Sequence, residues 1–132
     1  MTMSTKTMPD LRYARSDEWV RVEGDEAVIG ISDYAQDALS DIVYVELPSV
    51  GDMLEAGNPF GVVESVKAAS DVLIPVDGEV IAVNDAAVDS PESLNSDPYG
   101  TWLVRLRMTN PSQVNALMDA AAYEAYNATR EH

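Results

Sequence analysis

Apolar and polar residues alternate along much of the chain, which is the pattern of β-strands that bury one face. Residues 19–23 alternate, Gly24-Asp25 is a turn signal, and the alternation resumes over residues 27–31, so the sequence predicts a β-hairpin. Further short strands, separated by Gly and Pro, are predicted over residues 42–47, 60–66, 70–74, 79–83 and 102–108. Many short strands with frequent turns are typical of a mainly β sandwich or barrel.

Two segments carry helical signals. Ser32 is suited to cap a short helix over residues 33–39. Asn110-Pro111 is suited to begin a terminal helix, whose apolar residues keep helical spacing. Residues 119–126 extend this helix, and the pattern allows a kink before them. The sequence therefore predicts short helices, and a C-terminal helix, added to a mainly β domain.

The length of 132 residues suits one domain. We expect residues 11–132 to form this domain and residues 1–10 to form a flexible tail. No apolar run approaches the roughly 18 residues of a membrane span, and the first residues match neither a secretory signal nor a transit peptide. The sequence therefore predicts a cytoplasmic protein without a membrane partner, and we expect a monomer.

Charge and residue usage exclude several classes of function. Acidic residues number 23 against 8 basic ones, for a net charge of -15, and such a surface repels the phosphates of nucleic acids. There is no cysteine, and His132 is the single histidine. We therefore expect no metal site and no catalytic residues, because thiolate sites, His clusters and a Ser-His-Asp triad all lack their parts.

The placement of Lys67 is the most informative chemical feature. Lys6 and Lys67 are the only lysines, and Lys6 lies in the predicted tail. Lys67 lies in a two-residue link between two apolar strands, which predicts a tight turn with an outward amine. Such an amine suits the attachment of a long arm that swings between active sites while the strands hold its root. A Schiff-base enzyme is disfavoured, because it requires a desolvated lysine.

The residues around Lys67 carry a resemblance to a known family. Glu-Ser-Val-Lys-Ala-Ala-Ser-Asp (residues 64–71) resembles the lipoyl-attachment motif of glycine cleavage H proteins. Further segments similar to that family occur in the same order, at residues 16–20, 29–36, 41–48, 84 and 96–99. The resemblance covers about residues 11–126 and implies a barrel-sandwich hybrid fold of the lipoyl- and biotinyl-carrier type.

The resemblance implies a carrier with no catalytic activity of its own and with lipoate bound covalently to Lys67. In the family, the lipoyl arm takes an aminomethyl group from the pyridoxal-phosphate enzyme glycine decarboxylase. A tetrahydrofolate-dependent aminomethyltransferase removes that group, and dihydrolipoyl dehydrogenase reoxidises the arm. A lipoyl-attaching enzyme is the fourth implied partner, and the family pattern gives Glu64 and Gly78 a part in its recognition of the carrier. From the residues alone, Glu64 is equally explained as a solvated strand-end charge, and Gly78 as a turn residue with positive φ.

The resemblance also implies a cleft into which the loaded arm folds back. Ser16 and Glu18 match the family's residues there, and Glu18 is suited to hold an ammonium group. The alternative for Glu18 is a solvated charge on an edge strand. The chain departs from the family pattern at Asp17 and Tyr34, both of which replace residues that are often histidine, and residues 98–102 are one residue short.

Three other interpretations remain open at this stage. A lipoyl domain of a 2-oxoacid dehydrogenase typically has Asp-Lys-Ala at the tip, whereas Val66 precedes Lys67 here. A biotin carrier has Met-Lys-Met, which is absent. A stand-alone lipoyl donor to other complexes fits the same residues, because a sequence does not report the choice of partner.

Overall fold

A computed structural model describes residues 6–130. Two antiparallel β-sheets form the body, as expected from the alternating pattern. The strands are β1 (Arg12–Tyr13), β2 (Glu18–Glu23), β3 (Glu26–Ile31), β4 (Ile42–Glu46), β5 (Met53–Leu54), β6 (Pro59–Ser65), β7 (Ala69–Leu73), β8 (Gly78–Val83) and β9 (Val104–Met108). The helices are α1 (Asp33–Leu39), α2 (Asp85–Asp89), α3 (Ser93–Ser96) and α4 (Ala120–Ala128), with a 3-10 helix at Pro111–Ala116.

The two sheets differ in size and enclose the main core between them. The larger sheet has the strand order β1-β2-β3-β9-β8-β5, and the smaller has the order β4-β6-β7. Every pairing is antiparallel. Inward side chains from both sheets are buried, including Val20, Ile29, Val45, Val63, Val80 and Leu106. Burial of this continuous apolar layer is the main source of the stability of the domain.

The predicted hairpin and the first helix are confirmed. Strands β2 and β3 pair along their whole length around the Gly24-Asp25 turn. Gly24 has a φ of 66°, which favours glycine. Helix α1 begins after Ser32, whose side chain accepts a hydrogen bond from the backbone of Ala35. Local signals were sufficient in both places, because each depends on neighbours in the sequence.

The C-terminal helix is confirmed, but it is separated from the preceding turn by more than the kink that the sequence allowed. The 3-10 helix ends before Leu117, whose backbone is extended. Met118 then pairs with Tyr13 of β1 through two backbone hydrogen bonds of 2.8 and 2.9 Å. Helix α4 begins only afterwards, with Asp119 as its N-cap. A contact with a distant strand therefore overrides the helical spacing of the sequence.

A second, aromatic cluster lies on the outer face of the large sheet and packs against α4. The rings of Tyr13 and Tyr123 stack with centroids 4.3 Å apart. Trp19 is fully buried there and donates to the carbonyl of Pro98 over 3.0 Å. The other buried members of the cluster are Leu11, Val28 and Tyr34. Through this cluster the C-terminal helix is packed against the first hairpin of the chain.

The described part of the predicted tail contacts the body. The backbone N–H of Lys6 donates to Asp33 over 2.7 Å, and that of Met8 donates to the hydroxyl of Tyr13 over 2.7 Å. The rest of the predicted tail, residues 1–5, lies outside the described residues. The domain limits of 11–132 stay a prediction. Within residues 6–130, no helix is long and apolar enough to cross a membrane.

Candidate functional site

Lys67 lies at the exposed tip of the hairpin that β6 and β7 form. Residues 66–68 link the two strands, one residue more than the sequence predicted. The hydroxyl of Ser65 accepts hydrogen bonds from the backbone of Lys67 (3.2 Å) and Ala68 (3.1 Å), and Ser65 N–H donates to the carbonyl of Ala68 over 2.7 Å. This turn fixes the backbone of Lys67 and leaves its side chain exposed.

The tip of the Lys67 hairpin is also held by the residue that precedes β4. Val66, whose side chain is 68% exposed, donates its backbone N–H to the carbonyl of Asp41 over 2.9 Å. Glu64 is exposed and pairs with Tyr44 on one side and Ala69 on the other. The carboxylate of Glu64 therefore lies on the surface of the same hairpin as the lysine, three residues before it.

Gly78 lies in the other sheet and is not at a positive-φ turn, so that explanation from the sequence is wrong. It is the buried first residue of β8 and pairs with Leu54 and Met108. A Cβ at this position would lie 2.6 Å from the carbonyl oxygen of Arg107. Glycine is therefore required by the close approach of a neighbouring strand. Its recognition by an attaching enzyme stays a prediction.

Ser16 and Glu18 line a cleft of about 150 Å³ between the two sheets. Glu18 is only 2% exposed, so the alternative of a solvated strand charge is wrong. The hydroxyl of Ser16 donates a short hydrogen bond to Oε1 of Glu18. The other lining residues come from Asp17, β3, α1 and the two strands of the Lys67 hairpin: Ile31, Ala35, Ala38, Leu39, Val63, Ser70, Asp71 and Val72.

The carboxyl of Glu18 has a pKa well above that of an ordinary glutamate. Burial raises its pKa from 4.5 to about 7, although hydrogen bonds from Ser16 and from the backbone of Leu73 oppose the rise. The negative charge of Asp17 adds a smaller upward contribution. Glu18 therefore exchanges its proton near neutral pH, within a cleft that has a polar rim.

The structure brings Lys67, Ser16 and Glu18 to one region through β7. Ser70 and Asp71, which line the cleft, follow Lys67 by three and four residues. The backbone N–H of Leu73 on the same strand donates to Oε2 of Glu18 over 3.0 Å. At about 3.3 Å per residue, the cleft begins about 10 Å from the hairpin tip. An arm attached to Lys67 can therefore reach back to Glu18, whereas Gly78 belongs to the opposite sheet.

Asp17, which the sequence singled out as a departure from the family pattern, is paired with a residue that sequence reasoning missed. Arg130 donates from Nη1 and Nη2 to the two carboxylate oxygens of Asp17 over 2.6 and 2.8 Å. The guanidinium also lies over the ring of Tyr34, 4.0 Å from its centroid. No local motif marks Arg130, since it meets Asp17 only through the fold.

A larger cavity, of about 430 Å³, lies elsewhere, between Lys6, Asp33 and the segment 95–100. The Lys67 hairpin does not line it, so the smaller cleft is the one that relates to the lysine. Among residues 6–130, no group of three or more His, Cys, Asp or Glu side chains is arranged to hold a metal ion. His132 lies outside the described residues.

The two antiparallel sheets, the short helices and the lysine at a hairpin tip define a barrel-sandwich domain of the lipoyl-carrier type. The family model described as glycine cleavage H-protein matches residues 11–130. The chain therefore belongs to the glycine cleavage H-protein family, which confirms the fold and the family expected from the sequence.

Individual relatives agree with this assignment. The chain is 55% identical over 124 residues to "Glycine cleavage system H protein 1" of Caldanaerobacter subterraneus subsp. tengcongensis, covering 94% of this chain and 99% of that protein. It is 56% identical over 117 residues to "Glycine cleavage system H protein 2" of Pseudomonas putida, covering 88% and 92%. The crystal structure of a glycine cleavage system H protein from Mycobacterium marinum superposes with a TM-score of 0.85 at 37% identity, covering 92% and 99%.

Replacement of Gly78 tests why glycine is needed there. We expect Gly78→Ala to lower the free energy of unfolding by about 1–3 kcal/mol, because the Cβ overlaps the carbonyl oxygen of Arg107. Urea denaturation measures the loss. At Gly57, which has a φ of 91° and open space around a Cβ, Asn should be tolerated better than Ala. At Gly78 Asn should be no better than Ala, and a milder effect of Asn there would contradict crowding as the cause.

The raised pKa of Glu18 predicts a pH dependence of stability. The folded protein holds a proton on Glu18 up to about pH 7, whereas the unfolded chain releases it near pH 4.5. The stabilising contribution is therefore complete below pH 4.5 and is lost as the pH rises through 7. Its size is on the order of 3 kcal/mol, since each unit of pKa is worth about 1.4 kcal/mol.

The measurement is the free energy of unfolding of the wild type and of Glu18→Gln from pH 4.5 to 8. The difference between the two proteins should change in favour of Glu18→Gln as the pH rises, while slopes caused by other groups cancel. A difference that is constant across this range would show that Glu18 titrates at its ordinary pKa.

Proposed function

We propose that this chain is the lipoylated carrier of the glycine cleavage system, with the lipoyl group bound as an amide to Lys67. It moves an aminomethyl cargo from glycine decarboxylase to the tetrahydrofolate-dependent aminomethyltransferase, and dihydrolipoyl dehydrogenase restores the carrier for another cycle. The observation that supports this most directly is the exposed Lys67 on a fixed hairpin beside a cleft that buries Glu18. In this proposal the chain has no catalytic activity of its own.

The residues of the hairpin fit the attachment of lipoate. The amine of Lys67 is exposed, so an attaching enzyme can approach it, and the Ser65 turn holds its backbone in one conformation. When bound, the lipoyl group supplies a disulfide for the cargo and a chain of sufficient length to enter separate active sites. The sheet supplies the fixed root, which limits the volume that the arm must search.

The cleft fits the protection of the cargo. The aminomethyl cargo bears an amine that is protonated at neutral pH, and Glu18 offers a buried carboxylate as its partner. A cation beside Glu18 favours the ionised form and lowers its pKa, so the carboxyl releases its proton as the cargo arrives. The hydrogen bonds from Ser16 and Leu73 orient the two carboxylate oxygens. Burial between the sheets also keeps water from the cargo.

Some expectations from the sequence stay predictions within this proposal. They are a cytoplasmic location, a monomeric state, recognition of Glu64 and Gly78 by a lipoyl-attaching enzyme, and the named partner enzymes. The alternative role of a stand-alone lipoyl donor uses the same Lys67. The two roles differ in an assay: a glycine cleavage carrier supports glycine decarboxylation, whereas a donor transfers its lipoyl group to another protein.

Lys67→Arg should abolish lipoylation and carrier activity without unfolding the protein. Arginine keeps the positive charge of the exposed tip but cannot form the amide with lipoate. The measurement is the intact mass after incubation with lipoate, ATP and a lipoyl-attaching enzyme, followed by glycine-dependent release of carbon dioxide with glycine decarboxylase. We expect one added lipoyl group on the wild type and none on Lys67→Arg.

Lys6→Arg is the matched control, because it removes the only other lysine side chain. It should be lipoylated and active to the level of the wild type. A lipoyl group on Lys67→Arg, or full activity of that variant, would contradict the proposed attachment site.

Glu18→Gln should release the aminomethyl cargo faster. A charge-assisted hydrogen bond in a buried site contributes about 1.5–3 kcal/mol, so its loss corresponds to an increase of about tenfold or more in the undocked population. The experiment loads both carriers enzymatically, removes the enzymes, and follows formaldehyde and ammonia at pH 8, where Glu18 is mostly ionised. Glu46→Gln is the control, because Glu46 is exposed on β4. Equal decay of the wild type and Glu18→Gln would exclude this role of Glu18.

A further inference from the structure

The turn between β1 and β2 depends on the conformation of Asp17. Asp17 N–H donates to the carbonyl of Ala14 over 3.0 Å, and Ala14 N–H donates to the carbonyl of Glu18 over 2.9 Å. In a three-residue hairpin loop of this kind the last residue is left-handed, and Asp17 has a φ of 81°. Aspartate tolerates this conformation better than most residues with a Cβ, but glycine adopts it more readily, so contacts elsewhere contribute to holding the turn.

The side-chain contacts of Asp17 come from the other end of the chain, and its backbone carbonyl is bound by Ser32. Arg130 binds both of its carboxylate oxygens, and the hydroxyl of Tyr123 donates to Oδ1 over 2.8 Å. The backbone carbonyl of Asp17 accepts from Ser32 N–H over 2.8 Å. The side chains of Arg130 and Asp17 are 21% and 15% exposed, so the paired hydrogen bonds are partly shielded from water. Such a two-bond contact fixes orientation as well as distance.

The position of the Arg130 guanidinium is itself fixed. Its charge lies 4.0 Å from the ring centroid of Tyr34 and 4.6 Å from that of Tyr126. Nη1 also donates to the side chain of Asn127 over 2.8 Å. Tyr34 belongs to α1, and the other two residues belong to α4. Two helices therefore hold the guanidinium against the turn.

We propose that Arg130 is a positioning residue of the cleft: by fixing Asp17 it holds the turn that sets the Ser16 hydroxyl on the carboxylate of Glu18. Asp17 is the one residue between that pair, so its left-handed conformation determines where the pair points. Arg130 acts through Asp17 and does not line the cleft itself. The importance of this positioning for the cargo rests on the proposed function, whereas the positioning itself is measurable without lipoate.

The first experiment follows the side-chain carboxyl carbon of Glu18 by NMR through a pH titration of the unlipoylated protein. The charged groups at this cleft are Glu18, Asp17 and Asp71, with Arg130 bound to Asp17. In Arg130→Gln we expect the Glu18 pKa to fall by about one pH unit, because a relaxed turn admits water to the carboxyl. Loss of the Ser16 hydrogen bond acts in the opposite direction, but burial is the larger cause of the raised pKa, so the loss of burial decides the sign. If the turn holds without Arg130, the uncompensated charge of Asp17 raises this pKa instead, and a rise or no change would overturn the proposal.

Two further variants control this experiment. Arg105→Gln also removes an arginine that binds two carboxylates, those of Glu23 and Glu26, and it should leave the Glu18 titration unchanged. Arg130→Lys keeps the charge but loses the paired hydrogen bonds, so it should restore the wild-type titration only in part. Full restoration by lysine would show that charge alone is responsible, which contradicts positioning.

A second pair of variants tests whether Arg130 acts through Asp17. Asp17→Ala and Asp17→Gly both remove the carboxylate, but glycine adopts the left-handed conformation without strain. The fall in the Glu18 pKa should therefore be larger for Asp17→Ala. Adding Arg130→Gln to Asp17→Gly should cause no further fall. If Arg130→Gln lowers the Glu18 pKa as much in Asp17→Gly as in the wild type, then Arg130 acts on Glu18 by another route and the proposal is wrong.

The loaded carrier separates this inference from the proposed function. Arg130→Gln should release the cargo several-fold faster than the wild type, and adding it to Glu18→Gln should give no further acceleration. If the accelerations caused by Arg130→Gln and Glu18→Gln multiply in the double variant, the inference is wrong, because Arg130 then acts outside the Ser16–Glu18 pair. If Glu18→Gln alone decays like the wild type, the proposed docking fails, whereas a lowered Glu18 pKa in Arg130→Gln still supports positioning.

Discussion

One hydrogen bond connects the two sheets at the place that matters for the site. Glu18 lies on β2 of the large sheet, and its Oε2 accepts from the backbone of Leu73 on β7 of the small sheet. Strand β7 descends from the hairpin tip that carries Lys67. The position of the Glu18 carboxyl is therefore fixed relative to the hairpin that carries Lys67. The cleft exists between these sheets because this bond and the Ser16 hydroxyl satisfy a carboxyl that burial would otherwise penalise.

The environment of the buried Glu18 carboxyl depends on residues that lie outside the cleft. A Glu18 with a pKa of about 7 is destabilising when it is ionised, and its partner Ser16 lies on a turn in which Asp17 is left-handed. The turn persists because α4 brings Arg130 and Tyr123 onto Asp17. Strain of this kind is kept where the surrounding structure over-determines it. The aromatic packing of α4 thus contributes to the geometry of a cleft that α4 does not line.

The features that could be predicted from the sequence are those with local causes. The hairpin around Gly24-Asp25, the cap at Ser32 and the exposure of Lys67 each depend on residues within one turn or one strand pair. The burial of Glu18 was not predictable in this way, because β7 covers it from 55 residues further along the chain. Gly78 looked like a turn glycine for the same reason: its crowding comes from Arg107 on another strand. The roles of these residues stay predictions, whereas the burial of Glu18 and the crowding at Gly78 could be found only in the structure.

The departures from the family pattern at Asp17 and Tyr34 are explained together, because both residues contact Arg130. Without Arg130, the mostly buried carboxylate of Asp17 would keep the hydrogen bond from Tyr123 but lose its opposite charge, and unpaired buried charge is strongly destabilising. The guanidinium of Arg130 is in turn held by a cation–π contact with Tyr34, whose ring centroid lies 4.0 Å away. A histidine at either position would give a smaller ring face or a weaker, pH-dependent partner for the guanidinium. Asp17, Tyr34 and Arg130 therefore form one unit, which holds this turn.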